Sequence, residues 1–288
     1  MKHIKYLFLV LCTIFVFEMI GFNKVEAAEC GADADGVITN TSIGNGCDTK
    51  PDIYEVVIYK LYLCKSAPTE PNTLNTVDLT SCSQFFNSAG GATTSVTQGS
   101  EIELDGTYTR PPNGTYTHGY AYMENTFGIT WSGEIQTAKN GHHADSTLGV
   151  YCATVAGSGT HSKPTTHTNS SICGTSPITA GKFVETMEQF DSNSSDFKPR
   201  ATVPNINGTT ASIVGLLVDI NEHLAFNAGE VEKLEGLVTF ADPVVVTTET
   251  SFLSMTFNVG EGMHFFDHLD NNTLDIGSGP FQAIMKAN

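Results

Sequence analysis

The densest group of metal-ligating side chains lies near the C-terminus, in Met263-His264-Phe265-Phe266-Asp267-His268-Leu269-Asp270-Asn271-Asn272-Thr273-Leu274-Asp275. Its imidazoles and carboxylates could hold a divalent cation. Imidazole nitrogen suits zinc or copper, and Asp and Asn oxygens suit calcium. His264, Asp267 and His268 form the candidate ligand set, since on a helix His264 would share a face with Asp267 or His268. Asp270-x-Asn272 matches the opening of a calcium loop, but Leu274 and the missing glycine break that pattern. The plainer reading is a polar loop whose histidines cap backbone groups.

Other clusters carry weaker chemistry. His142, His143 and Asp145 stand close together, with His161 and His167 further on in a Ser/Thr-rich stretch. Glu101, Glu103 and Asp105 alternate along one strand face. Paired carboxylates do acid–base work in glycosidases only with a second group across a cleft, so a charged edge strand that resists pairing is the simpler account. Tyr116, His118, Tyr120 and Tyr122 alternate likewise. Such a row either stacks on sugar rings or fills a core. Nucleophile and phosphate-loop signatures are missing: there is no Gly-x-Ser-x-Gly, no His-Glu-x-x-His and no phosphate-binding glycine loop. Ser195-Asp196-Phe197-Lys198 matches Ser-x-x-Lys, but Pro199 disfavours the helix that motif needs. No cofactor is called for, and a divalent cation is the one candidate.

The elements that must position these groups read as β-strands. Short β-branched and aromatic runs alternate with turn clusters, and helical periodicity is nearly absent. Ile53–Cys64 is apolar on both faces, which predicts an interior strand. Glu101–Asp105 and Gly114–Tyr122 flank Arg110-Pro111-Pro112-Asn113, a turn in which Pro fixes φ and Asn-Gly tolerates positive φ. Further strands are expected at 127–135, 149–155, 182–190, 212–220, 237–240, 244–248 and 252–259, with a helical turn or two at 228–234.

The first residues combine Lys2, His3 and Lys5, an apolar run from Tyr6 to Ile20, and Val25-Glu26-Ala27. This is the layout of a secretory signal peptide, 1–28, cleaved near Ala27 or Ala28. The run carries Glu18 and falls short of the roughly 20 residues that span a bilayer. Of seven cysteines, Cys12 leaves with the leader. The six that remain fall into successive pairs: Cys30–Cys47, Cys64–Cys82 and Cys152–Cys173. An even number in an exported chain points to disulfides, and no Cys-x-x-Cys supports zinc. Every one of these cysteines precedes residue 180. The division expected is therefore an N-terminal β-sandwich module at 29–155, a Ser/Thr/His-rich linker at 156–180 and a C-terminal module at 181–288.

The repeated Gly-Thr-Tyr-Thr at 106–109 and 114–117, beside a Pro-containing turn and strand-borne cysteines, resembles exported β-sandwich proteins of bacteria over about residues 50 to 155. The resemblance implies a fold and no functional residue. Asn40, Asn113, Asn169, Asn193, Asn207 and Asn271 begin Asn-x-Ser/Thr triplets, which matter only in a glycosylating host.

A formal charge of −17 repels phosphate backbones and argues against nucleic acid. The fold expected is thus all-β, an antiparallel β-sandwich stabilised by disulfides, extracytoplasmic and without an integral membrane segment once mature. The function expected is structural, surface or adhesive and non-enzymatic, with self-assembly, a surface or a glycan as partner. The alternative is metal or glycan binding through the C-terminal His/Asp cluster or the tyrosine row.

Overall fold

The computed structural model describes residues 28–39, 46–161, 170–189, 200–204, 210–267 and 272–288. Residues 1–27 of the leader, His167, Ser195 and Lys198, His268, and Asn40, Asn169, Asn193, Asn207 and Asn271 lie outside them, as do the side chains of His161 and Asp267.

The chain is all-β. In order come β1 (Ala28–Glu29), β2 (Cys47–Thr49), β3 (Ile53–Cys64), β4 (Cys82–Val96), β5 (Thr107–Tyr108), β6 (Gly114–Glu124) and β7 (Thr126–Thr130). Then follow β8 (Ser132–Gly141), β9 (Gly149–Thr154), β10 (Gly157–His161), β11 (Ser171–Gly174), β12 (Phe183–Met187) and β13 (Arg200–Pro204). The last are β14 (Thr210–Val218), β15 (Lys233–Val246), β16 (Leu253–Asn258), β17 (Met263–Asp267), β18 (Thr273–Ser278) and β19 (Gln282–Ala287). The helical turns expected at 228–234 reduce to a 3-10 turn at Ala228–Glu230. No helix among the described residues is long and apolar enough to cross a membrane.

One sheet has seven strands in the order β1-β2-β17-β18-β8-β9-β11. A second runs β10-β12-β7-β3-β6-β15-β14-β13, with β4 on β3 and β5 on β4. A third is the pair β16-β19. The sheets are mixed rather than purely antiparallel, because β1–β2, β10–β12 and β18–β8 run parallel. Both larger sheets interleave strands from either side of residue 180: β15 lies between β6 and β14, and β18 beside β8. The expected division at residue 180 therefore does not separate one sheet from another.

β3 is the organising strand. β4 takes one of its edges, while β7 (at Ile53–Glu55) and β6 (from Ile58 onward) share the other. Its two apolar faces have a specific cause. Tyr54, Val56 and Ile58 point into the main core, a register break follows Ile58, and Leu61 and Leu63 take over the inward positions. Gly91 sits in the matching bulge of β4 at φ +79°, where a Cβ would lie 2.6 Å from the Val57 side chain. Only glycine fits there.

All three sheets contribute to the main core, with Phe265 and Ile276 from the first, Val56 and Ile129 from the second and Phe257 from the third. Each such fully buried side chain contributes about 1.5–3 kcal/mol through the hydrophobic effect. A smaller second core, built on Tyr120, Leu216, Val218 and Leu237, covers the other face of the ten-stranded sheet.

The disulfides are Cys30–Cys47, Cys64–Cys82 and Cys152–Cys173. The latter two join residues directly opposed across antiparallel pairs, β3 with β4 and β9 with β11. Three intramolecular disulfides suit an oxidising, extracytoplasmic environment.

Candidate functional site

The C-terminal His/Asp segment is a β-hairpin, β17 paired with β18, and not a helix. Period-two alternation sends Met263 and Phe265 into the core and leaves His264 and Phe266 on the opposite face. There His264 stands directly across from Asp48 of β2, with its Nδ1 2.7 Å from the Asp48 carboxylate. Of the three proposed ligands, His264 alone has a described side chain. Asp267 ends the strand, and His268 lies outside the described residues. Among the described residues, no three His, Cys, Asp or Glu side chains converge as a metal site.

Sequence reading missed the partner of the second histidine pair. His142 places its Nε2 3.1 Å from the carboxylate of Asp275, which is wholly buried on β18. The apolar neighbours Leu274 and Ile276 were a signal that this carboxylate would be enclosed. A buried carboxylate needs a cationic or hydrogen-bonding partner, and removing one half of such a pair costs about 3 kcal/mol. His142→Ala is expected to lower stability by about that amount in urea titration. Adding Asp275→Asn should restore part of the loss, because the carboxyl that His142 faces goes with it. A single variant as stable as the parent would show the pair to be inert. His143 and Asp145 form only a local turn, in which the Asp145 amide donates to His143 Nδ1 at 3.2 Å.

The tyrosine row is split. A register break in β15 between Thr239 and Val244 accompanies the switch. Tyr116 falls in the main core with its hydroxyl donating to the Pro112 carbonyl at 2.6 Å, whereas Tyr120 belongs to the second core. Burial lowers the His118 pKa. Tyr120 packs edge-on against Tyr62 with ring centroids 5.4 Å apart, and Lys60 lies 4.8 Å over the Tyr122 ring.

Beside this row sits Glu235, wholly buried on β15 opposite Tyr122. Neither of its carboxyl oxygens meets a donor in good hydrogen-bond geometry. Burial pushes its pKa up to about 8; Glu222 adds to the rise, and the Tyr120 hydroxyl and Lys60 oppose it. Lys60 and Glu222 pair at 3.5 Å nearby. The loop after β14 is tied down by a bridge from Val218 to Leu224 and by the Leu224 amide donating to the Asn72 carbonyl. On this face Tyr120 and Glu235 are enclosed, while Tyr62 and Tyr122 are half-buried.

The open site lies elsewhere. The segment from Glu101 to Pro111 and the segment from Val246 to Met255 enclose a groove of about 630 Å³. A backbone bridge between Glu101 and Thr256 joins its two walls. Glu101–Asp105 is not a continuous strand, and β5 pairs with β4 rather than with β6, so the expected hairpin is a turn between strands with different partners. Glu101 and Glu103 line the groove instead of guarding an edge.

Two aromatic rings flank it. Tyr108 is 53% exposed and Phe252 59% exposed. Tyr108 is held in place: its hydroxyl donates to the Leu104 carbonyl at 2.9 Å and accepts from the Leu104 amide at 3.0 Å, and its ring packs against Phe86. Gly106 allows this approach, since a Cβ there would meet the Phe86 ring at 2.5 Å. Partial burial raises the Tyr108 pKa; the Leu104 backbone opposes the rise, and the negative charges of Glu103 and Asp105 add to it. Phe252 is fixed by paired backbone hydrogen bonds to Asn288. The Arg110 guanidinium donates to the Thr247 carbonyl at 2.5 Å and to Asn113 Oδ1 at 2.8 Å, stitching the walls together.

Comparison with known proteins returned no matching family model, no matching curated protein and no matching solved structure.

Proposed function

We propose that this chain is an exported, non-enzymatic surface or adhesive β-sandwich protein, and that the groove between β5 and β16 is its binding face. The observation that carries the reading is the pair of half-exposed aromatic rings on either side of an open groove, Tyr108 anchored through its hydroxyl and Phe252 on a hydrogen-bonded main chain. Rigid aromatics offer large contact area at small entropic cost, which is why they recur at binding surfaces. The buried disulfides support the reading by bracing the scaffold and by suiting an oxidising compartment. The sheets sharing the main core support a sandwich.

The test is adhesion of beads coated with the oxidised mature protein to cells and to extracellular matrix. Tyr108→Ala combined with Phe252→Ala should reduce bead retention at least tenfold, on the scale of about 1.4 kcal/mol per tenfold in affinity. Tyr108 also holds the Leu104 main chain and covers Phe86, so some thermal stability should be lost, and circular dichroism at the assay temperature should match that of the parent. Equal retention of parent and variant would refute the assignment of this face.

A further inference from the structure

We infer that the groove takes an extended peptide segment carrying lysine or arginine beside apolar side chains; this rests on reading the groove as the binding face. Three observations favour that occupant. First, charge: Glu101 and Glu103 line the groove, and the charges of Glu103 and Asp105 are felt at the Tyr108 hydroxyl. The one guanidinium in the lining, Arg110, is turned to Thr247 and Asn113. The walls thus present net negative charge, in a chain whose overall charge is −17.

Second, the aromatic rings stand beside those carboxylates. A carboxylate next to an aromatic face is the arrangement that holds a Lys or Arg head, by ion pairing on one side and cation–π attraction on the other. The methylene stem of the same side chain covers apolar surface, here that of Ile102, Leu253 and Met255.

Third, the walls are strand edges. Among the described residues β5 pairs only with β4, and β16 pairs with β19, while its other edge is met near its end by the Glu101–Thr256 bridge and by the Gly99 amide donating to the Phe257 carbonyl, which leaves the main chain of Leu253–Met255 facing the groove. An extended peptide can add its own main-chain hydrogen bonds to such edges, with alternate side chains entering the groove. A neutral oligosaccharide would use the aromatic faces and leave the negative field unanswered.

The experiment measures binding of three labelled peptides to the oxidised full-length mature protein by fluorescence anisotropy. They are acetyl-Lys-Leu-Lys-Leu-Lys-amide and its analogues with Gln or Glu in place of Lys, alongside chitotriose as a neutral saccharide. The lysine peptide should bind, and the Gln and Glu peptides at least tenfold more weakly. Glu101→Gln combined with Glu103→Gln should weaken the lysine peptide about tenfold, with each exposed ion pair contributing modestly. Glu29→Gln combined with Glu232→Gln removes the same charge from exposed positions elsewhere and should leave binding unchanged.

Equal weakening by both charge pairs would show diffuse attraction and overturn the inference. So would a Gln peptide binding as well as the lysine peptide, or chitotriose binding where the peptides do not. In those last two cases sensitivity to the Tyr108 and Phe252 changes would leave the binding face standing. Loss of bead adhesion in the aromatic variant with no peptide bound would likewise overturn only the peptide inference. Unchanged adhesion in that variant would remove the binding face itself.

Discussion

Replacing Glu235 with glutamine is expected to flatten the dependence of stability on pH between about pH 5 and pH 8. The carboxyl of Glu235 rises from 4.5 in the open chain to about 8 in the folded protein, chiefly through burial. Between those values the unfolded chain is ionised while the folded chain keeps the proton, so folding takes a proton up. The contribution of this group to stability is greatest below about 4.5, falls as the pH climbs through the window, and stays low above about 8. At about 1.4 kcal/mol for each tenfold change in proton affinity, the upper bound on this loss is about 5 kcal/mol, and relaxation of the site makes about 3 kcal/mol the working figure. The groups acting on the carboxyl are Tyr120, Glu222 and Lys60. Glu222 and Lys60 offset one another as an ion pair, which leaves burial dominant. Urea titrations of parent and Glu235→Gln at pH 5 and pH 8.5 make the comparison. The difference between the two proteins should shift by about 3 kcal/mol in favour of the variant at the higher pH. Parallel pH profiles would mean that Glu235 reaches water in the folded state.

How much of this was legible in the sequence depended on whether the deciding contact was local. β3 could be read from twelve residues rich in aromatic and β-branched types, although its two apolar faces came from a bulge and a second core rather than from simple burial in a sheet centre. β4 went unread. Its Ser, Gly, Ala and Thr carry little β signal, and its pairing is dictated by β3 along the whole edge. The Pro-Pro-Asn-Gly turn was legible as a turn, but the strands beside it choose partners far away in sequence, which turn chemistry does not specify. β15 looked like two strands because Ala241-Asp242-Pro243 interrupts it; the structure absorbs those residues as a register break within one strand.

The site followed the same logic. Candidate residues could be found by type, but their partners could not. His264 meets Asp48 across 216 positions, and the groove joins a segment near residue 101 to one near residue 252. Glu101 and Glu103 were noticed as an alternating pair, yet their role changed once Phe252 stood across from them. Cysteines are the exception. Each pairs with a neighbour in chain order, because each disulfide closes a local excursion.

Removing the Cys152–Cys173 disulfide by changing both residues to alanine is expected to cost about 3 kcal/mol. The bond closes a loop with a sequence separation of 21, so the unfolded chain gains the closure entropy that the cross-link had withheld. Both cysteines are 1% exposed in the main core, and alanine leaves a small void that adds to the loss. The bond lies at a sheet edge. β11 forms the end of the seven-stranded sheet, and among the described residues it pairs only with β9. Its other edge is held by the 142–147 loop, where the His143 and Thr147 amides donate to the Ser171 and Cys173 carbonyls, and by serine contacts: Ser146 Oγ accepts from the Cys173 amide at 2.9 Å, and the Ser171 hydroxyl donates to the Leu274 carbonyl. The latter contact ties β11 to the strand that carries Asp275, so loosening the edge should also disturb the His142–Asp275 pair. Combining the cysteine changes with His142→Ala should therefore cost less than the two losses added together, as for sites that share a network. Urea titration of the parent, the disulfide-free variant, His142→Ala and their combination measures that shortfall directly. Strictly additive losses would show that the disulfide holds only the edge strand, and that the buried His142–Asp275 contact is supported from elsewhere.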